Sequence, residues 1–89
     1  MYEVVLTRRA YHEFNKLSLT EQERIEAALV RLSTNPRLPS IRKIQGNIYR
    51  IRAGNRCIIY AVFNKDRLVL VGRIVRRSED SYDRVKERF

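Results

Sequence analysis

Four arginines in the second half of the chain have the residue type and spacing that phosphate binding requires. Arg50 and Arg52 are two positions apart in the segment 48–53, where apolar and basic residues alternate. Successive side chains of a strand point to opposite faces, so this spacing places both arginines on one face of a predicted strand. Arg56 begins the next predicted strand, and we expect it near the turn end of the same surface. Arg76 directly follows the last predicted strand. Guanidinium groups bind phosphate through paired hydrogen bonds, so this surface predicts a polyanion site.

The net charge of the chain is confined to one contiguous segment. Residues 37–77 hold eleven Lys and Arg but one acid, Asp66, for a net charge of +10, whereas the other 48 residues sum to −1. A face that is charged only for solubility usually mixes the two signs, although such a solvated face is the alternative interpretation. We therefore interpret the segment as the footprint of a polyanion, and nucleic acid, an acidic membrane surface or an acidic protein would each fit it. Further candidate contacts in it are Arg42, Lys43, Arg73 and Arg77.

Other classes of site find little support in the sequence. The only histidine, His12, is predicted on the solvent side of a helix, and no Cys/His or acidic cluster has metal-ligand spacing, so we expect no metal and no cofactor. The only cysteine, Cys57, is predicted as a buried thiol rather than a nucleophile. A single cysteine forms no intrachain disulfide, which suits a reducing cytoplasm. The longest apolar run, residues 57–63, is too short to span a membrane.

The elements that must position these residues are predicted from hydrophobic periodicity. The sequence predicts a short strand at residues 2–6, a helix capped by Thr7 that runs to about Leu17, and a second helix behind a capping box at residues 20–23. From Ile48 the period changes to two, which predicts an antiparallel meander of strands 48–53, 56–63 and 68–75, the first two joined by a II′ turn. A short amphipathic helix closes the chain. The prediction is a single α+β domain over residues 1–89, ordered β-α-α-β-β-β-α, with an N-terminal strand and a helical hairpin packed on one face of a mainly antiparallel sheet.

The sequence also resembles a known family along nearly all of its length. The run from Ile44 to Tyr60 is similar to the segment L-x-G-x-x-Y-R-I-R-x-G-x-Y-R-I-x-Y of the RelE/ParE toxin superfamily, and residues 73–82 resemble its closing segment of basic residues followed by Tyr. The resemblance implies a toxin of a type II toxin–antitoxin system, neutralised by a cognate RelB-like antitoxin. RelE-type members cleave mRNA in the ribosomal A site, so it further implies a cytoplasmic protein whose partners include the ribosome and mRNA.

The resemblance implies roles for five positions in such a nuclease. Arg50 and Arg52 match two basic residues that are lysines in well-known RelE nucleases, and Arg56 is assigned to the arginine at the start of the next strand. The basic residue after the last strand matches Arg76, or Arg77 if the spacing slips by one. Tyr82 matches the terminal aromatic residue, where it would stack on a base or orient the 2′-OH, unless it only packs the tail helix onto the sheet.

Three functions are consistent with these residues, and the filled set of five family positions favours the first. The first is a ribosome-dependent endoribonuclease that works without metal through the 2′-OH of its RNA substrate. Because arginine stays protonated up to about pH 12, such an enzyme would rely on charge stabilisation and on the ribosome to align its substrate. The second is a ParE-type inhibitor of DNA gyrase on the same fold. The third is a nucleic-acid-binding module without catalysis, which usually exposes aromatic residues on its basic face.

Overall fold

The computed structural model describes residues 1–37 and 42–76, and these form two helices packed on one mixed five-stranded sheet. The strand order is β1-β5-β4-β3-β2, in which β1 runs parallel to β5 and every other pair is antiparallel. The elements in chain order are β1 (Glu3–Leu6), α1 (Arg8–Asn15), α2 (Leu19–Thr34), β2 (Arg42–Gln45), β3 (Ile48–Ala53), β4 (Arg56–Phe63) and β5 (Leu68–Arg76). The predicted α+β class and the antiparallel meander are confirmed, and the predicted tail helix lies outside the described residues.

Both helices bury their apolar stripes against the same face of the sheet, which we call the helix face. Ala10 of α1 and Ile25 and Leu32 of α2 are fully buried there against β3, β4 and β5. Side chains of the size of Ile25 and Leu32 contribute about 1.5–3 kcal/mol each on full burial, so this layer makes a large stabilising contribution. The opposite surface, which we call the outer face, carries a smaller buried cluster of Cys57, Ile59 and Val75. The predicted basic surface around Arg50 and Arg52 is therefore apolar in part, because β4 is buried on both sides.

The helix ends show where local sequence signals were ambiguous. Thr7 caps α1 as predicted, accepting a hydrogen bond from the Ala10 backbone N–H at 3.1 Å. The capping box of α2, however, is formed by Ser18 and Glu21 instead of residues 20 and 23, so α2 begins at Leu19. Helix α1 also ends at Asn15, two residues before the predicted end.

Strand β2 was absent from the prediction, which placed no element between the second helix and Ile48. It pairs antiparallel with β3, with Gln45 opposite Ile48, so Gly46 and Asn47 form a two-residue turn. Gly46 has a φ of +55°, a conformation that glycine adopts without steric cost. A Gly-Asn pair directly before a strand is a hairpin signal, and it was the clue to this strand in the sequence.

Candidate nucleic-acid interface

The Gly54–Asn55 turn, which joins β3 to β4, marks one end of the sheet that we call the hairpin end. Gly54 has a φ of +64°, as the first central position of a II′ turn requires, so the predicted turn is confirmed. A Cβ atom at Gly54 would lie 3.0 Å from Nη1 of Arg24, which shows that this α2 side chain lies over the turn. The positive φ is therefore what requires glycine at this position, because the flexible side chain of Arg24 can shift to admit a Cβ atom.

Arg50 and Arg52 share the outer face, as their spacing predicted. Arg50 is directly opposite Ile59, and Arg52 is directly opposite Cys57, so both arginines belong to the face of the small buried cluster. Arg50 is half-buried and Arg52 is exposed. The buried cluster gives the outer face a rigid apolar floor, and the two guanidinium groups lie along one strand of that floor. Rigid positioning is what lets fixed charges stabilise an anion effectively.

Arg56 does not share this surface, and the expectation that it would was wrong. It is directly opposite Ala53 in the register of β3 and β4, and Ala53 is part of the core on the helix face. In a two-residue hairpin the residues flanking the turn face each other, so Arg56 takes the face of Ala53 instead of that of Arg52. Its Nε atom donates to Oε2 of Glu21 on α2 at 2.9 Å.

Arg76 and Lys43 also lie apart from the outer face. Arg76 is the cross-strand partner of Arg56, so it belongs to the helix face at the hairpin end. Lys43 is exposed and lies opposite Tyr49, whose ring packs against the core on the helix face. The backbone of Arg42 pairs with that of Arg50. The register therefore divides the predicted basic set between the two faces of the sheet.

Arg73 is held at the edge of the sheet by an ion pair. Its register partner is Ile59 on the outer face, but its Nη2 atom lies 2.9 Å from Oε2 of Glu13 on α1, and its Nε atom donates to the same oxygen at 3.0 Å. The other oxygen of Glu13 accepts from the Ile74 backbone N–H at 2.8 Å. Strand β1 ends opposite Val71, so Glu13 satisfies a donor that β1 no longer reaches. Arg73 therefore stabilises this edge, a role that the sequence did not suggest.

Four singled-out residues remain. Tyr82 and Arg77 lie outside the described residues. Cys57 is fully buried, as predicted, and His12 is exposed. Within residues 1–37 and 42–76, no group of three His, Cys, Asp or Glu side chains could hold a metal ion. No helix in the same part of the chain is both long and apolar enough to cross a bilayer.

An open cleft of about 520 Å³ occupies the helix face at the hairpin end. Its lining comprises Glu13, Lys16, Leu17, Arg56, Ile74, Val75 and Arg76. Near it, the Arg56 guanidinium, together with hydrogen bonds from Ser18, lowers the pKa of Glu21 below its ordinary value of 4.5. Sequence analysis missed Lys16, Arg24, Glu13 and Glu21 as neighbours of the basic strands, because contacts between helix and sheet leave no short-range pattern.

Comparisons with known proteins place this architecture in a family. The family described as "ParE toxin of type II toxin-antitoxin system, parDE" matches residues 4–81. The isolated RelE toxin of E. coli has a similar structure, with a TM-score of 0.78, 25% identity and 98% coverage of both chains. RelE in the RelE–RelB complex from Pyrococcus horikoshii OT3 has a TM-score of 0.79 at 22% identity, over 88% of this chain and 97% of that one. No curated protein sequence matches the chain. These matches confirm the resemblance and the fold predicted from the sequence.

Proposed function

Because the chain belongs to the ParE toxin family of type II toxin–antitoxin systems, we propose that it inhibits translation by cleaving mRNA on the ribosome. The observation that carries this proposal is the outer face, where Arg50 and Arg52 lie side by side on β3. Two guanidinium groups on a rigid strand are suited to hold a phosphodiester by charge-assisted hydrogen bonds. A ribosome-directed toxin of this kind acts in the cytoplasm.

The reaction that fits this surface is transesterification by the RNA itself. The 2′-oxygen attacks the adjacent phosphorus, the bond from phosphorus to the 5′-oxygen breaks, and the products are a 2′,3′-cyclic phosphate and a 5′-hydroxyl. The 2′-OH loses its proton and the leaving oxygen gains one. Arg50 and Arg52 would stabilise the extra negative charge on phosphorus, a kind of contact whose loss typically costs about 10²–10³ in rate.

The lack of a general base among the outer-face residues described above distinguishes this site from that of a nuclease that cleaves free RNA. The outer-face residues described above are arginine, isoleucine, valine and cysteine, and arginine is a poor general base near neutral pH. The enzyme would therefore depend on alignment of its substrate, which is worth up to about 7–11 kcal/mol in favourable cases. We expect cleavage on the ribosome and little cleavage of free RNA. Tyr82 and Arg77 remain the sequence-based candidates for further contacts with the RNA.

The register changes the roles proposed for Arg56 and Arg76. Both lie on the helix face, whereas the scissile phosphate is assigned to the outer face. In the family segment quoted above, the arginine of the second Y-R pair falls at position 57, where this chain has a buried cysteine opposite Arg52. We therefore assign catalysis to Arg50 and Arg52 and do not include Arg56 and Arg76 among the contacts to the scissile phosphate.

An antitoxin is the second proposed partner. The similar RelE toxins of E. coli and P. horikoshii are found in complexes with RelB. A chain with a net charge of +9 needs its basic surface covered when the toxin is inactive. We propose a RelB-like antitoxin with an acidic and apolar segment that folds onto the toxin, because folding on binding lets a short chain cover a large area.

A specific observation also favours the alternative, inhibition of DNA gyrase without RNA chemistry. The family match is described by the name of ParE, and Cys57 is a neutral residue in the centre of the outer face. A toxin that acts by binding a protein target needs no complete set of cations around a phosphate. On this alternative, the outer face would serve as a docking surface of Arg52 and its neighbours.

One experiment with two readouts distinguishes these functions. Primer extension on mRNA in a translating extract would test cleavage, and supercoiling by purified gyrase would test the alternative. We expect codon-dependent cuts that disappear with Arg52→Gln and persist with Lys43→Gln, a matched loss of charge on the other face. Loss of supercoiling activity without mRNA cuts would overturn the nuclease and support the gyrase inhibitor.

A further inference from the structure

The cleft on the helix face carries an excess of cations that the proposed catalytic role does not use. Lys16 contributes from the end of α1, Arg56 from the start of β4 and Arg76 from the end of β5. Arg56 and Arg76 are direct cross-strand partners, and like charges directly opposite each other in a sheet are destabilising. An anion bound between them would convert this repulsion into two attractive contacts.

The acids beside the cleft are already engaged. Glu13 is occupied by Arg73 and by the Ile74 backbone N–H. Glu21 accepts from Arg56 with one oxygen and from Ser18 with the other. Within the described part of the chain, Lys16 and Arg76 have no ion pair. Among the described residues, the cleft therefore holds two cations without an ion pair and a third, Arg56, that is paired with one carboxylate.

The position of Arg24 connects this cleft with the outer face. Its side chain lies over Gly54, in the turn that is flanked by Ala53 and Arg56, and Arg52 directly precedes Ala53. A polyanion that leaves the outer face at Arg52 therefore passes Arg24 at the turn before it reaches Arg56 and the cleft. Basic residues therefore occur on both faces of the sheet beside the turn, with Arg24 over the turn itself.

We propose that Lys16, Arg56 and Arg76 form a second site for RNA, which binds a backbone phosphate of the strand that is contacted by Arg50 and Arg52. The polyanion is taken as RNA on the strength of the proposed function. Glu21 competes with that phosphate for Arg56 and so weakens the site in free protein. An acidic peptide fits less well, because the exposed large apolar side chains of the described residues, such as Tyr11 and Leu19, do not line the cleft, and stable protein interfaces bury an apolar centre.

Binding can be measured without cleavage on a labelled single-stranded RNA of about 16 nucleotides whose 2′-oxygens are methylated. Methylation removes the nucleophile, so failure of the nuclease proposal would leave this measurement intact. The test variant is Lys16→Gln/Arg76→Gln. The matched control is Lys65→Gln/Arg67→Gln, which removes two charges from the exposed turn at the opposite end of the sheet. Thermal unfolding of both variants verifies that each is folded.

The salt dependence of affinity counts the phosphates contacted. Each phosphate contacted on a single strand contributes about 0.7 to the slope of log affinity against log salt, so loss of the one phosphate held at this site should lower the slope by about 0.7 in the test variant. The control should leave it unchanged. Glu21→Gln should raise affinity up to about fivefold, the value of an exposed ion pair, and Glu23→Gln should not.

Three results would overturn the second site. The first is an equal change of slope in the test and control variants, which would mean that both variants weaken RNA binding only through their lower net charge. The second is binding of inorganic phosphate that is lost in the test variant while RNA binding is unchanged, which would mean a site for a free anion. The third is binding of an acidic peptide that depends on Lys16 and Arg76 while RNA binding does not.

Discussion

At the end of the sheet where β4 turns into β5, Arg37 has several partners, whereas within the described residues the cleft cations at the hairpin end have one ion pair, that of Arg56 with Glu21. Arg37 lies 5.7 Å from the centre of the Tyr49 ring, and its Nε atom donates to the Tyr49 hydroxyl at 3.1 Å. Its Nη2 atom donates to Oδ1 of Asn64 at 2.7 Å, an oxygen that also accepts from Tyr2. At the hairpin end, the cleft cations Lys16 and Arg76 have no comparable partner among the described residues.

Basic side chains serve different purposes at these two ends of the sheet. A cation that is stacked on an aromatic ring and hydrogen-bonded on several sides contributes to stability, and a ligand must displace those contacts to use it. A cation beside a like charge instead favours whatever anion comes near it. We therefore expect substitution of Arg37 to change stability, and substitution of Arg52 or of the cleft cations Lys16 and Arg76 to change function.

The largest expected effect is on activity at the outer face. Arg52→Gln should lower ribosome-dependent cleavage by about 10²–10³ because one charge contact to the phosphate is lost. Arg52 is exposed, so the variant should unfold at the same temperature as the wild type. Cleavage rates measured by primer extension, with Lys43→Gln as the control, test this. Undiminished cleavage by the folded variant would remove the outer face from the mechanism.

The next effect is on stability at the other end. Tyr60 is fully buried, its ring stacks on Tyr49 with centroids 5.9 Å apart, and its hydroxyl donates to the Pro36 carbonyl at 2.8 Å. Tyr60→Phe keeps the ring but leaves that carbonyl without its donor, a loss of about 1–3 kcal/mol. Tm should fall by roughly 4–8 °C per kcal/mol for a domain of this size. Tyr11→Phe, at an exposed position, is the control, and the same shift in both would disprove the assignment.

Much of this fold could be predicted because its signals are local. The change of period at Ile48 and the glycine at position 54 specified β3, β4 and their turn. Strand β2 was missed because its four residues include two cations, and pairing with β3 is what stabilises it. The start of α2 was ambiguous, since residues 18–21 and 20–23 both read as capping boxes, and the choice between them depends on packing of the helix on the sheet.

The site could be predicted only where strand alternation decides it. Arg50 and Arg52 were paired correctly by the period of two. The misplacement of Arg56 was avoidable, because residues that flank a two-residue turn always share a face. The partner of Arg56 was not predictable in the same way, since Glu21 is 35 residues away and on a helix. The engagement of Arg73 by Glu13, 60 residues away, is a similar tertiary contact.

A smaller effect tests Arg37 itself against Arg52. Arg37→Gln removes the contact with the Tyr49 ring and the hydrogen bonds to Tyr49 and Asn64 at an exposed position, which should cost about 1 kcal/mol or less. Cleavage should be unchanged, the reverse of the pattern expected for Arg52→Gln. Chemical denaturation and primer extension on the same preparations measure both quantities, with Lys65→Gln as the control. If cleavage fell while stability stayed constant, the division between the two ends would be wrong.

The smallest effect is a pH dependence at the hairpin end. Arg56 lowers the pKa of Glu21 below 4.5, so the pair stabilises the fold fully above that pH, and this contribution is lost as pH falls through the lowered value. Wild-type Tm should therefore drop more between pH 7 and about pH 3 than that of Glu21→Gln, which can still form the capping box. Glu23→Gln, on the same helix and without an ion pair among the described residues, should follow the wild type.

Because Glu21 is near the surface, high salt should shrink the difference between wild type and Glu21→Gln. If the two melted in parallel at every pH in low salt, Glu21 would not hold Arg56 in solution, and the competition proposed for the second RNA site would lose its physical basis.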